Sequence, residues 1–183
     1  KVNGYGSNFE IGYSKTINQN NLLDIWLGIE KYDQNFSISD IGYLQRNDLR
    51  LYNLGISIDR FNLVNNLLSD EFTVFHRIQK NINGDLLEDK VSINYMLKFK
   101  NYWNFNIGIS SEANSLVDRF YDYYISVEEG EQIISKKPGS KQLLLSFNND
   151  PRKKIYFNFG ANYFVNKVDD EGIYFLVNTL YKI

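Results

Sequence analysis

The chain has 183 residues and a mass of 21.5 kDa, with 20 Lys and Arg against 22 Asp and Glu, one His, one Met and no Cys. That length allows a single domain. The formal charge of -2 and pI near 5.5 exclude a global field that would draw nucleic acid. Without Cys there is neither a disulfide framework nor a thiolate metal site, and one His excludes a His-rich metal site. Mean hydropathy is -0.39, and no run of about 18 apolar residues marks a transmembrane helix. The start shows no initiator Met, no basic-then-apolar leader and no cleavage site. It opens in mid-pattern, and the chain is expected to be a section of a longer protein.

Aromatic residues make up 16%, with 14 Tyr and 13 Phe, and there are only 2 Pro. Abundant Tyr, Phe, Ile and Asn favour strands over helices, and so few prolines allow long ones. Alternation with a period of two runs through most of the chain. Phe9, Ile11 and Tyr13 alternate with Glu10, Gly12 and Ser14. Leu23, Ile25, Leu27 and Ile29 oppose Asp24, Trp26, Gly28 and Glu30. Tyr52 to Ile58 follow the same rule, with Gly55 and Ser57 on the other side. Phe72, Val74, His76 and Ile78 form a fourth run, and Val91 to Phe99 a fifth. Trp103, Phe105, Ile107 and Ile109 form a sixth, followed by Leu143, Leu145 and Phe147. Ile155, Phe157, Phe159 and Ala161 come next; the last run, Ile173 to Tyr181, begins apolar on both faces.

The connections differ in length. Tight turns are expected at Lys100-Asn101 and at Asn148-Asn149-Asp150-Pro151, on one set of strand ends. Long segments, 33–47 and 112–140, belong to the other set, together with hairpin turns at Asn83-Gly84 and at residues 169–172. Segment 112–140 is expected to protrude, with β-prone pieces at 120–127 and 132–135. Segment 60–70 fits poorly, being long where a tight turn belongs. Short turns on one rim and long loops on the other are a habit of outer-membrane barrels.

The polar face is mostly Asn, Ser and Gly, with Gly12, Gly28, Gly55, Gly108 and Gly160 in mid-strand. Glycine there marks curvature or close backbone approach, which suits a crowded, hydrogen-bonded lumen. The opposite face carries Leu, Ile, Phe, Trp and Tyr with almost no charge. Strands of about 9–11 residues are long enough to cross a bilayer when tilted.

Four collinear segments, at residues 35–48, 99–103, 116–119 and 150–154, together resemble one large uncharacterised family of Gram-negative outer-membrane proteins. The stretch containing Phe36, Ile38, Asp40, Gly42, Tyr43, Leu44, Arg46 and Asp48 is similar to its F-x-I-N-D-L-G-F-L-x-R-x-D segment. Phe99-Lys100-Asn101-Tyr102-Trp103 resembles its F-K-N-Y-W turn, and Leu116-Val117-Asp118-Arg119 its L-D-D-R loop. Asp150-Pro151-Arg152-Lys153-Lys154 resembles its D-x-R-K-K turn. The resemblance implies a C-terminal β-barrel behind an N-terminal module like family 9 carbohydrate-binding domains. That module is not among these residues, and the chain does not end on the terminal aromatic residue of a barrel assembly signal, Tyr181 being close but misplaced. An internal piece of a larger barrel is therefore expected.

Individual residues carry weaker signals. His76 lacks partners for metal binding or catalysis and reads as structural or interfacial, near a rim if its strand faces lipid. Carboxylates cluster at Asp118/Asp122, Glu128/Glu129/Glu131 and Asp169/Asp170/Glu171, all in expected loops, where solvated charge or cation bridging is the simpler reading. Arg152, Lys153 and Lys154 read as a basic interfacial turn, and Tyr43, Tyr102 and Trp103 as interfacial aromatics. Asp40, Gly42, Arg46 and Asp48 read as a loop held over a barrel mouth by internal ion pairs. No nucleophile elbow, phosphate-cradling loop or dinucleotide fingerprint is present.

These observations lead to an all-β expectation: an antiparallel outer-membrane barrel, or a large part of one, of about 9–11 strands in a single domain. It is expected to serve as scaffold, pore or envelope-complex subunit, linked to glycans through the resemblance alone. It is not expected to be an enzyme or to need a cofactor, and its partners would be outer-membrane lipid, envelope proteins or glycans rather than nucleic acid. Two alternatives remain: a soluble β-sandwich binding glycans or proteins, and a carbohydrate-active enzyme using loop carboxylates such as Asp118 and Asp122.

Overall fold

A computed structural model of the chain describes residues 5–33, 49–63, 66–117, 135–167 and 170–181. It is an all-β, antiparallel structure. Nine strands form one meandering sheet in the order β1 (Gly6–Asn18), β2 (Asn21–Tyr32), β3 (Leu49–Phe61), β4 (Leu67–Asn81), β5 (Leu86–Phe99), β6 (Asn104–Glu112), β9 (Ser140–Asn148), β10 (Ile155–Asn166) and β11 (Glu171–Tyr181). Two short strands, β7 (Ser115–Val117) and β8 (Ser135–Lys137), pair as a separate ribbon. The ribbon therefore starts at positions flanking the β-prone pieces read at 120–127 and 132–135, which lie outside the described residues apart from Ser135.

Turn chemistry explains the local breaks. Asn81 caps the β4–β5 hairpin: its Oδ1 accepts from the Asp85 backbone N–H at 2.9 Å, and its Nδ2 donates to Asp85 Oδ2 at 2.8 Å. Gly84 takes the left-handed conformation there, with φ 93°, which its missing side chain permits. The strand ends at 18/21, 61/67, 99/104 and 148/155 share one rim, and those at 32/49, 81/86, 112/140 and 166/171 the other. The poor fit of segment 60–70 disappears, because β3 runs on to Phe61 and β4 begins at Leu67.

Register then gathers the alternating residues onto two faces. Tyr13, Ile25, Ile56, Val74, Ile93, Ile109, Leu143, Tyr163 and Ile173 form one unbroken cross-strand row. Neighbouring rows on that face extend the apolar surface. On the opposite face Asp24, Ser57, Thr73, Asn94 and Gly108 stand side by side. The middle of the apolar face stays uncovered, with Leu54, Ile56, Val91 and Ile93 each over 40% exposed, while Leu87, at 9% exposure near the start of β5, is the buried hydrophobic residue among those described. The second stacked sheet of a sandwich, against which such a face would be buried, is absent among the described residues. The sheet is also open, since β1 and β11 each pair on one side only.

The apolar band does not run parallel to the rows. Ile11 is in register through Leu27, Leu54, His76, Val91, Ser111 and Lys141 with Val165 and Glu171, so that row turns polar toward β11. Another row does the reverse, starting at Arg60 and Asp70 and ending at Leu97, Phe105, Phe147, Phe159 and Val177. Val177 lies six residues beyond Glu171 along β11. At roughly 3.4 Å per residue and 4.8 Å per strand, that drift across the sheet inclines the band by about 30°.

The mid-strand glycines divide into two kinds. The Trp26 indole covers Gly55, where an added Cβ would come within 2.0–2.1 Å of its ring atoms, and the Asn94 amide oxygen would lie 2.6 Å from a Cβ at Gly108. Gly12, Gly28 and Gly160 have ordinary space, their nearest neighbours being 3.7–3.9 Å from an added Cβ, so close approach does not explain them. Gly55→Ala should therefore displace the indole and cost about 1–3 kcal/mol, whereas Gly12→Ala should stay within about 0.5 kcal/mol. Denaturant unfolding of the two variants under matched conditions checks the contrast, and equal losses would contradict it.

Candidate functional site

Pairing of β6 with β9 brings the turns that precede and follow them together on the tight-turn rim. Tyr102 adopts φ 63°, and the Arg152 guanidinium lies 3.6 Å over its ring, a cation–π contact. Arg152 also donates to Asp150 twice through its side chain, at 2.9 and 2.8 Å, and once through its backbone N–H at 2.9 Å. Asn149 holds the turn by donating to the Ile155 carbonyl and accepting from the Phe157 N–H, both at 2.9 Å. Beneath it, Trp103 packs edge-on against Phe147 at 4.9 Å and Phe157 at 5.9 Å. Tyr102, Trp103, Arg152, Lys153 and Lys154, read from two distant turns, thus share one rim, with Lys153 and Lys154 exposed. Tyr43, Asp40, Gly42, Arg46 and Asp48 lie outside the described residues, as do Asp118, Asp122, Glu128, Glu129, Glu131 and Asp169.

Two polar groups on the apolar face satisfy their charge internally. Arg60 grips Asp70 with two guanidinium nitrogens, Nε at 2.8 Å, and Tyr95 donates its hydroxyl to Asp70 Oδ2 at 2.6 Å. Asp70 is only 4% exposed, so this bidentate pairing satisfies a carboxylate that would otherwise be costly to bury. His76 sits between Leu54 and Val91 and shares a 2.8 Å hydrogen bond with Asp89. No group of three or more His, Cys, Asp or Glu side chains is placed to hold a metal ion among the described residues.

The polar face holds a cluster that sequence reading missed. Trp26 stacks on Phe75 with centroids 6.5 Å apart, Arg77 lies 5.5 Å over the Phe75 ring, and Arg77 Nε donates to Asn53 Oδ1 at 3.2 Å. Chemically this is a half-buried pair of stacked aromatic rings with a cation over one of them. The available signal was an aromatic residue at Trp26 and another at Phe75 on a face otherwise built of Asn, Ser and Gly. Their adjacency required the register Trp26–Gly55–Phe75. Near the opposite rim, a cleft of about 610 Å³ is lined by Leu86, Ser115, Leu116, Lys136 and Lys167 among others.

The whole chain, residues 1–183, is matched by the family described as Domain of unknown function (DUF5916), and the chain belongs to that family. No curated protein and no solved structure matches it significantly.

Hydrogen bonds from Arg152 pull the Asp150 carboxyl down to about 2 from its ordinary 3.8. A depressed carboxyl stabilises the folded turn above its unfolded pKa. That contribution is lost as pH falls from about 4 toward 2. Carboxyl-resolved NMR titration should give Asp150 a midpoint near 2, returning toward 3.8 in Arg152→Gln. An unchanged midpoint in the variant would contradict the pairing.

Proposed function

We propose that this DUF5916 domain is a sector of an outer-membrane β-barrel wall, with lipid against its apolar face and an aqueous lumen against its Asn, Ser and Gly face. The observation that carries the reading is the oblique apolar band. Nine antiparallel strands share one uncharged stripe, and its inclination of about 30° approaches the ~35–45° strand tilt of membrane barrels. Large side chains present roughly 150–250 Å² each, so a face of such residues near 40% exposure reaches the order of 1,000 Å². A monomer in water rarely exposes more than a few hundred. The paired Arg60 and Asp70 and the interfacial Tyr102, Trp103 and Arg152 fit the border of such a band.

In this role the protein is a scaffold or pore of a Gram-negative envelope rather than an enzyme, and needs no cofactor. Its principal partner is outer-membrane lipid. The Trp26–Phe75–Arg77 platform favours glycan passage or capture along the lumen, the aromatic faces stacking on sugar rings.

Two residues test the choice of solvent. Ile93 and Met96 are exposed to nearly the same degree, 41% and 39%, but on opposite faces of β5. In water, lysine at either position would be tolerated alike. Facing lipid, Ile93→Lys should cost about 2–4 kcal/mol at the bilayer midplane, while Met96→Lys, beside its cross-strand neighbour Glu71, should be close to neutral. Unfolding of the membrane-assembled variants measures the difference. The same preparation should fractionate with the outer membrane and migrate on gels in a heat-dependent way; a monodisperse monomer without detergent would overturn the proposal.

A further inference from the structure

Strand direction around the sheet limits what can complete the wall. All eight neighbour pairings, from β1–β2 through β6–β9 to β10–β11, are antiparallel. An even number of reversals leaves β1 and β11 pointing the same way. Closing the sheet on itself would therefore require a parallel seam, whereas bacterial single-chain outer-membrane barrels are antiparallel throughout and even in strand number. A second copy in the same membrane orientation meets the same obstacle, because its β1 and β11 also point that way. Yet both edges are long, 13 and 11 residues, and carry no proline or short-strand protection within them. In hydrocarbon their unpaired backbone groups would each cost several kcal/mol.

We infer that the wall is completed by an odd number of further transmembrane strands beyond the nine described here, seated on β1 and on β11 in the opposite direction. This rests on the membrane-wall reading above. The edges also differ in what they ask of a neighbour. β1 is apolar on one side only, through Phe9, Ile11 and Tyr13, with Glu10 and Ser14 on the other. β11 is apolar on both sides, with Phe175 and Val177 exposed on one and Tyr174, Leu176 and Leu180 on the other. The strand on β11 must therefore pack large side chains on its lumen side as well as its lipid side, because cross-strand neighbours lie about 4.5–5.5 Å apart. The strand on β1 can be polar toward the lumen.

Site-specific photo-crosslinking in the full protein, assembled in its own outer membrane, tests this. Tyr13→p-benzoylphenylalanine and Phe175→p-benzoylphenylalanine place a probe on each edge with little change in shape. Phe72→p-benzoylphenylalanine, whose neighbours are Ile58 and Tyr95, serves as an interior control that should capture β3 and β5 peptides. With the control capturing those peptides, both edge probes are expected to yield peptides from outside the nine described strands. Capture of β11 by the Tyr13 probe or β1 by the Phe175 probe, within one chain or between copies, overturns the inference while leaving the membrane reading intact. Lipid adducts alone at either edge also overturn it. Absence of the protein from the outer-membrane fraction overturns the membrane reading itself.

Discussion

A single layer of sheet has two faces and cannot hide either one from its surroundings. In a sandwich or an α/β fold a second layer covers the apolar face, and burial there supplies most of the folding free energy. Here the described strands supply no such layer, and the apolar face stays open across all nine. Its chemistry must therefore match the medium that touches it. In the proposed membrane setting hydrocarbon is that medium, and long strands paired along most of their length suit it, since lipid offers no water to replace a missing backbone partner.

Under that constraint the polar residues of the apolar face fall into place. Arg60, Asp70 and Tyr95 form a closed hydrogen-bonded group at the tight-turn end of β3, β4 and β5, where the band has already moved away from their row. His76 and Asp89 satisfy each other toward the other end of the same strands. The polar face solves a different problem. Its side chains must share limited space and still find partners, which the Trp26 ring over Gly55 and the Asn94 amide over Gly108 accomplish by using the room a missing Cβ leaves.

Much of the fold was readable because side chains alternate faces with a period of two, and each strand carries that alternation within itself. The runs through Tyr52–Ile58 and Val91–Phe99 are strands with the expected faces, and the run at 173–181, which begins apolar on both faces, is also a strand. Segment 60–70 read as too long for a tight turn because its two ends belong to the strands, Arg60 and Asp70 being paired across β3 and β4. The five mid-strand glycines looked alike, yet only Gly55 and Gly108 receive a neighbour's side chain. The rim aromatics and basic residues were recognised singly, while their meeting at Tyr102 and Arg152 depends on β6 lying beside β9.

The order of residues along the chain was sufficient to determine strand identity, the two contrasting faces and the unequal connections, because these are local properties of alternation and turn chemistry. Tertiary structure alone decided which residues stand opposite one another: the slant of the apolar band, the Trp26–Phe75–Arg77 platform and the shared direction of β1 and β11. These depend on register and pairing across strands, and a shift of one residue, invisible in composition or spacing, would exchange the two faces of a strand.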